Sequence, residues 1–134
     1  MGNKSSKPHY DVAAGLIWKD GRILITKRPQ GSHLAGYWEF PGGKQEGEET
    51  LEKCLEREIR EELGVSVRAG DLLFSIEHEY ENKTICLHLF RCLQLQGQPQ
   101  ALEGQETRWV TPRDLDNYTF PPPDLKIINF LKAK

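Results

Sequence analysis

At 134 residues, with 28% charged and 37% hydrophobic side chains, the chain is the size of one domain and has an ordinary globular composition. A net charge of −2 excludes a nucleic-acid footprint built on bulk positive charge, and no apolar run approaches the ~20 residues of a membrane-spanning helix. Three cysteines (Cys54, Cys86 and Cys92) without metal-type spacing, and no signal-peptide core after the start, point to a reducing, cytoplasmic setting.

The opening MGNKSS fits an N-myristoylation pattern, but its plainer reading is a polar leader. Residues 1–8 are therefore expected to be disordered, ahead of one domain over residues 9–134. Residues 9–18 and 22–27 are rich in apolar and β-branched side chains, and the Asp20-Gly21 dipeptide between them predicts a hairpin. A glycine-containing loop, PQGSHLAG, leads into YWEFPGG. Thr50 to Leu63 carries a helical pattern that Gly64 stops. Leu72–Tyr80 and Thr84–Leu93 read as two strands joined by a short turn, and Arg108–Thr111 as another, followed by a turn or short helix from Pro112. Apolar residues at helical spacing over Pro123–Leu131 predict a closing helix. This order of elements implies a mixed sheet with helices on both faces.

The helix over residues 50–63 carries an anomaly. Leu51, Leu55, Ile59 and Leu63 form its apolar stripe. With Glu58 at zero and ~100° per residue, Glu62 falls near +40° and Glu61 near −60°, against about +20° and +60° for Leu51 and Leu55. The three carboxylates overlap the edge of the buried face, whereas Lys53, Glu56 and Arg60 take the solvated side. A solvated face accounts for Glu52 and Glu56. It leaves Glu58, Glu61 and Glu62 as like charges close together and partly desolvated, which is costly without a counter-ion. A hard divalent cation compensates them, with Arg57 holding one carboxylate in place. Mg²⁺ bound by a few carboxylates completes its shell with water and substrate phosphates. The Gly-Gly turn in the preceding PGGK lets backbone approach such a ligand. No Walker-type phosphate loop is present.

Gly43, Glu49 and the run Arg57-Glu58-Ile59-x-Glu61-Glu62-x-Gly64-Val65 stand at the spacing of a complete Nudix box, and the chain resembles the MutT branch of that superfamily. ITKRPQGSHLAGYWEFPGGK, EGQ at 103–105 and FPPPD at 120–124 extend the likeness across most of the chain. The resemblance implies an α/β/α sandwich with a mixed sheet between helices. It also implies Mg²⁺-dependent (or Mn²⁺-dependent) attack of water on the β-phosphorus of a nucleoside triphosphate, giving the monophosphate and pyrophosphate. By position, the Gly42 carbonyl, Glu58, Glu61, Glu62 and Glu103 would serve the metal, with Glu58 or Glu103 as general base and Glu58 preferred. Arg28 and His33 would contact the nucleotide; Ala14, Glu39, Phe40 and Pro41 would wall the base pocket. For Trp38 the preferred reading is core packing.

Asp124 stands where the MutT pattern has asparagine. An asparagine amide donates to a purine O6 and accepts from the N7–H of an 8-oxo base; an ionised aspartate only accepts, and suits an exocyclic amino group. A buried, protonated aspartate donates again. The leading expectation is an 8-oxo-dGTP diphosphatase of nucleotide-pool sanitation and DNA mutation avoidance, working as a monomer without nucleic acid or membrane. The alternatives are a CTP or dCTP pyrophosphohydrolase, a diadenosine polyphosphate hydrolase, for which Tyr80 stands at a suitable distance past the box but reads as core, and an inactive nucleotide-binding module. The intact glutamates weigh against the last.

Overall fold

The computed structural model describes residues 7–32 and 34–133; the MGNKSS pattern and His33 lie outside them. Among these residues, eight strands, a 3-10 turn and two α-helices follow in order. They are β1 (His9–Leu16), β2 (Trp18–Lys19), β3 (Arg22–Lys27), β4 (Trp38–Glu39), β5 (Gly42–Lys44), α1 (Leu51–Leu63), β6 (Ser66–Glu79), β7 (Thr84–Gln96), β8 (Thr107–Val110), the 3-10 turn Pro112–Asn117 and α2 (Pro122–Lys132). No described helix is long and apolar enough to cross a membrane.

The main sheet runs β5-β1-β7-β6, with β1 and β7 parallel and the other pairs antiparallel. A parallel central pair is normally covered on both faces, and the side chains alternate accordingly. Ala13 and Phe90 pack with Leu55, Ile59 and Leu63 of α1. Ala14, Leu16, Leu87 and Leu89 pack on the other side with Ile127, Ile128 and Leu131 of α2. The expected sandwich of a mixed sheet between helices is observed. A second sheet, β2-β3-β4 with β8 on β3, closes the two cores.

The expected hairpin over residues 9–18 and 22–27 is only partly formed. Asp20 and Gly21 both take positive φ, 52° and 78°, and turn the chain, but only Trp18 and Lys19 pair with β3. The rest of the stretch leaves for the main sheet, because residues buried on both faces need neighbours in two layers. The strand expected from Leu72 begins at Ser66 and passes through three register shifts before Phe74. Those irregularities accommodate the polar run Arg68–Asp71, which carries no alternating pattern. Lys7 and Pro8, read as leader, are already bound to the domain: the Lys7 ammonium donates to the Tyr80 carbonyl, and the Pro8 carbonyl accepts from Thr84 N.

α1 starts and stops on side-chain chemistry. Thr50 Oγ1 accepts from Lys53 N at 3.1 Å, and Gly64, at φ 71°, donates its N–H to the Arg60 carbonyl. Glu56, assigned above to the solvated face, instead accepts the Ala69 N–H at 2.9 Å and is only 24% exposed at its side chain. It ties the helix to the start of β6.

Candidate active site

α1 delivers its three carboxylates at graded depth. Glu62 is 8% exposed, the Glu58 side chain 19% and that of Glu61 54%. Arg57 organises them. Its Nε and Nη2 grip Glu49 at 3.0 and 2.7 Å, its Nη1 reaches Glu58 at 3.3 Å and Glu61 at 3.2 Å, and Nη2 also donates to the Lys44 carbonyl. The bidentate grip pulls the Glu49 carboxyl down to about 2. One arginine thus fixes the loop before the helix and orients two helix carboxylates.

β5 slides beneath this cluster because it has no side chains there. A Cβ on Gly42, whose φ is 151°, would stand 1.9 Å from the Ala13 carbonyl oxygen; one on Gly43 would stand 2.3 Å from the Glu58 carboxyl carbon. From the other end comes the loop 97–106. Gln100 N and Leu102 N donate to the carbonyls of Leu63 and Glu62, and buried Gln105 donates its amide to the Glu62 carbonyl while accepting from Glu103 N. Carbonyls at the end of α1 thus anchor the loop that carries Glu103.

The electrostatics follow from this convergence. Burial, followed by Glu39, Glu58 and Glu103, pushes the Glu62 carboxyl up to about 9, opposed by the Gly42 N–H beside it. Burial raises Glu58 as well, opposed by Arg57 and reinforced by Glu61 and Glu103. Two partly or fully buried carboxyls, Glu62 and Glu58, therefore face the more exposed Glu61 and Glu103 across a negative potential that Arg57 and the Gly42 N–H offset. That donor set fits a hard cation such as Mg²⁺.

Beside the cluster lies a cavity of about 170 Å³ between β1, β5, β7 and the start of α2. Ala14, Arg28, Glu39, Phe40, Gly42 and Asp124 line it. Arg28 Nη1 and Glu39 Oε1 are paired at 2.9 Å, and Phe40 stacks on Phe120 with ring centres 5.3 Å apart. Asp124, in the first turn of α2 and 7% exposed, is pushed up to about 8 by burial and by Glu39. Pro41 does not line the cavity: its side chain is buried behind the wall, and its carbonyl accepts Gly15 N. Trp38 packs edge-on against Tyr118 in the core, as expected.

A family model for the NUDIX domain matches residues 13–130. The chain belongs to the Nudix family. It is similar to the CTP pyrophosphohydrolase of Escherichia coli, 37% identical over 92% of this chain and 91% of the relative. It is likewise similar to the 8-oxo-dGTP diphosphatase of Haemophilus influenzae, 39% identical over 93% of each chain. The crystal structure of the MutT Nudix hydrolase from Burkholderia pseudomallei superposes with a TM-score of 0.81 at 28% identity, over 93% of this chain and 98% of that one. The protein is accordingly an enzyme, a Nudix hydrolase of MutT type.

Within this Nudix site, sequence reasoning missed four residues. Tyr80 lines the cavity rather than the core, with Lys44 and Lys83 at the same wall. Lys83 is lowered by burial and by the neighbouring cations Lys44 and Arg28, so three positive side chains converge there. Lys44 Nζ stands 4.2 Å over the Tyr10 ring. Nothing local in the sequence couples residues 28, 44 and 83; only the strand register does. Gln105 stood inside the EGQ motif, and its role needed the loop anchored to α1 to become visible.

Proposed function

We propose that the enzyme hydrolyses oxidised purine nucleoside triphosphates, 8-oxo-dGTP foremost, to the monophosphate and pyrophosphate, and so keeps oxidised guanine out of DNA. It would act in the cytoplasm as a single chain, consistent with a cavity lined by one chain's residues. The observation that carries the reading is the state of Asp124. Buried and pushed up to about 8, it keeps its proton at neutral pH. A protonated carboxyl offers one O–H donor and one carbonyl acceptor, the same pair as an asparagine amide. It donates to O6 and accepts from the N7–H that only the 8-oxo base carries.

In this reading Ala14, Phe40 and the Asp124 turn hold the base, and Arg28 and Glu39 the sugar side. Glu58, Glu61, Glu62, Glu103 and the Gly42 carbonyl would hold Mg²⁺. When bound, the ion would neutralise phosphate charge and lower the pKa of an attacking water. Lys44 and Lys83 meet the polyphosphate. Glu58 is the general base: burial brings its pKa upward, toward the working range, and Arg57 fixes its orientation. Glu103 sits on an exposed loop and supports the charge balance instead.

The likeness to a CTP pyrophosphohydrolase favours a second reading, in which Asp124 is ionised and accepts from the cytosine amino group. The deciding experiment is kcat/KM for 8-oxo-dGTP, dGTP, CTP and dCTP with Mg²⁺, below and above about pH 8. The proposal expects 8-oxo-dGTP to lead at the lower pH and its lead to shrink at the higher. Cytosine nucleotides leading at both pH values would replace it with the second reading.

A further inference from the structure

On the α1 side of the main sheet, away from the cavity, β1 and β7 bring together side chains that the hydrolase site does not use. Asp11 pairs in register with Cys86, and Ala13 with His88. Among the described residues, Asp11, Cys86 and His88 form the one group of three whose ligand atoms all lie within 4.8 Å of one another. None of them lines the cavity. We propose that Asp11, Cys86 and His88, closed by His9, form a second cation site, selective for a borderline transition-metal ion of the Zn²⁺ class.

The donor types exclude the ion of the glutamate cluster. Thiolate and imidazole suit Zn²⁺ and its neighbours, whereas Mg²⁺ takes oxygen. The geometry is close to ready. His88 Nε2 and Asp11 Oδ1 are 3.0 Å apart, and tetrahedral ligands each ~2.1 Å from one ion stand roughly 3.4 Å apart, so a small side-chain adjustment admits the ion. With an ion on Nε2, the ring proton would sit on Nδ1 and be donated to Ser75 Oγ, which stands 2.7 Å away. Metal-binding histidines commonly carry such a partner on the other ring nitrogen. His9 Nε2 is 3.7 Å from Asp11 Oδ1 and more than half exposed, so it swings in as the fourth ligand. Glu77 stands opposite Cys86 on β6 and keeps the local potential negative. An ion here staples β1 to β7, the parallel pair on which both faces of the domain are built.

The test is Co²⁺ titration of the full chain with Mg²⁺ in large excess, so that the glutamate cluster is saturated. The expected result is one equivalent of Co²⁺ with a thiolate-to-cobalt charge-transfer band, lost in Cys86→Ser and displaced by Zn²⁺. Ser75→Ala is expected to weaken binding about 10–100-fold, the usual effect of removing a ligand's supporting partner. Absence of the band in the wild type, or its persistence in a folded Cys86→Ser, overturns the site. Should Cys86→Ser not fold, unchanged Co²⁺ affinity in both His88→Gln and Asp11→Asn overturns it equally. Nothing in this readout depends on turnover, so its failure is separate from failure of the proposed substrate.

Discussion

In the proposed reading, Asp124 is the residue at which substrate preference and stability meet. Its folded pKa of about 8 stands above the ordinary value of 3.8. Between those values the native chain holds a proton that the unfolded chain has released. Stability therefore falls as pH rises through this window, and the loss is complete above about pH 8. Asp124→Asn replaces the protonated carboxyl with an amide of the same donor and acceptor pattern, and it has no proton to lose. We expect the variant to be more stable at neutral and alkaline pH, with a flatter pH profile of its melting temperature. Its preference for 8-oxo-dGTP over CTP should also cease to depend on pH. A variant whose selectivity still changes across pH 8 would place the titrating group elsewhere. Glu62→Gln asks the complementary question. Replacing this buried carboxyl with an amide removes the cost of taking up a proton on folding, so the metal-free protein should gain stability at neutral pH. Its kcat should fall on the order of 10³-fold, as several kcal/mol of charge stabilisation are lost. Nucleotide binding should survive; loss of binding together with turnover would make Glu62 a substrate contact.

Among elements, α1 was the most legible, because its two ends are written locally as Thr50 and Gly64 and its buried face as a run of leucines and isoleucine. The carboxylates breaking that face were visible before any neighbour was known. The loop 97–106 was the least legible. It has no periodicity, and its conformation comes from backbone donors that satisfy the last carbonyls of α1. β4 and β5 were hidden for a related reason: strands of two and three residues carry no pattern, and the pairing of β5 with β1 depends on Gly42 and Gly43, which let backbones touch. The role of this loop as a positioning element is testable through Gln105. Gln105→Ala breaks its tie to the Glu62 carbonyl and its hold on Glu103 N. We expect kcat to fall by about 10-fold or more while KM for the nucleotide is nearly unchanged, because the base pocket lies on other elements. If KM rises and kcat does not, the loop contacts substrate rather than ordering the carboxylates.

Across the whole molecule, the cavity and the proposed second cation site are built on one pair of strands. Ala13 packs under α1 and Ala14 opens into the cavity, so adjacent residues of β1 serve opposite faces of the sheet. Cation binding at the glutamate cluster should therefore be felt as global stability. Without metal, Glu62 carries a proton up to about pH 9, against an ordinary value of 4.5, so metal-free stability falls as pH rises between the two. A divalent cation favours the carboxylate and competes with that proton, so its stabilising effect must grow with pH over the same range. At 100 times its dissociation constant, a ligand of the native state adds about 2.7 kcal/mol. For a chain of this size that is roughly 10 °C in melting temperature. Thermal melts in Mg²⁺ and in chelator, compared from pH 5 to pH 9, should diverge steadily, with each Mg²⁺ bound releasing about one proton at neutral pH. In Glu62→Gln the divergence should largely vanish, because no proton is left to displace. Parallel melting curves in the wild type would mean that Glu62 is ionised before metal arrives. Another group would then have to offset the burial of its charge.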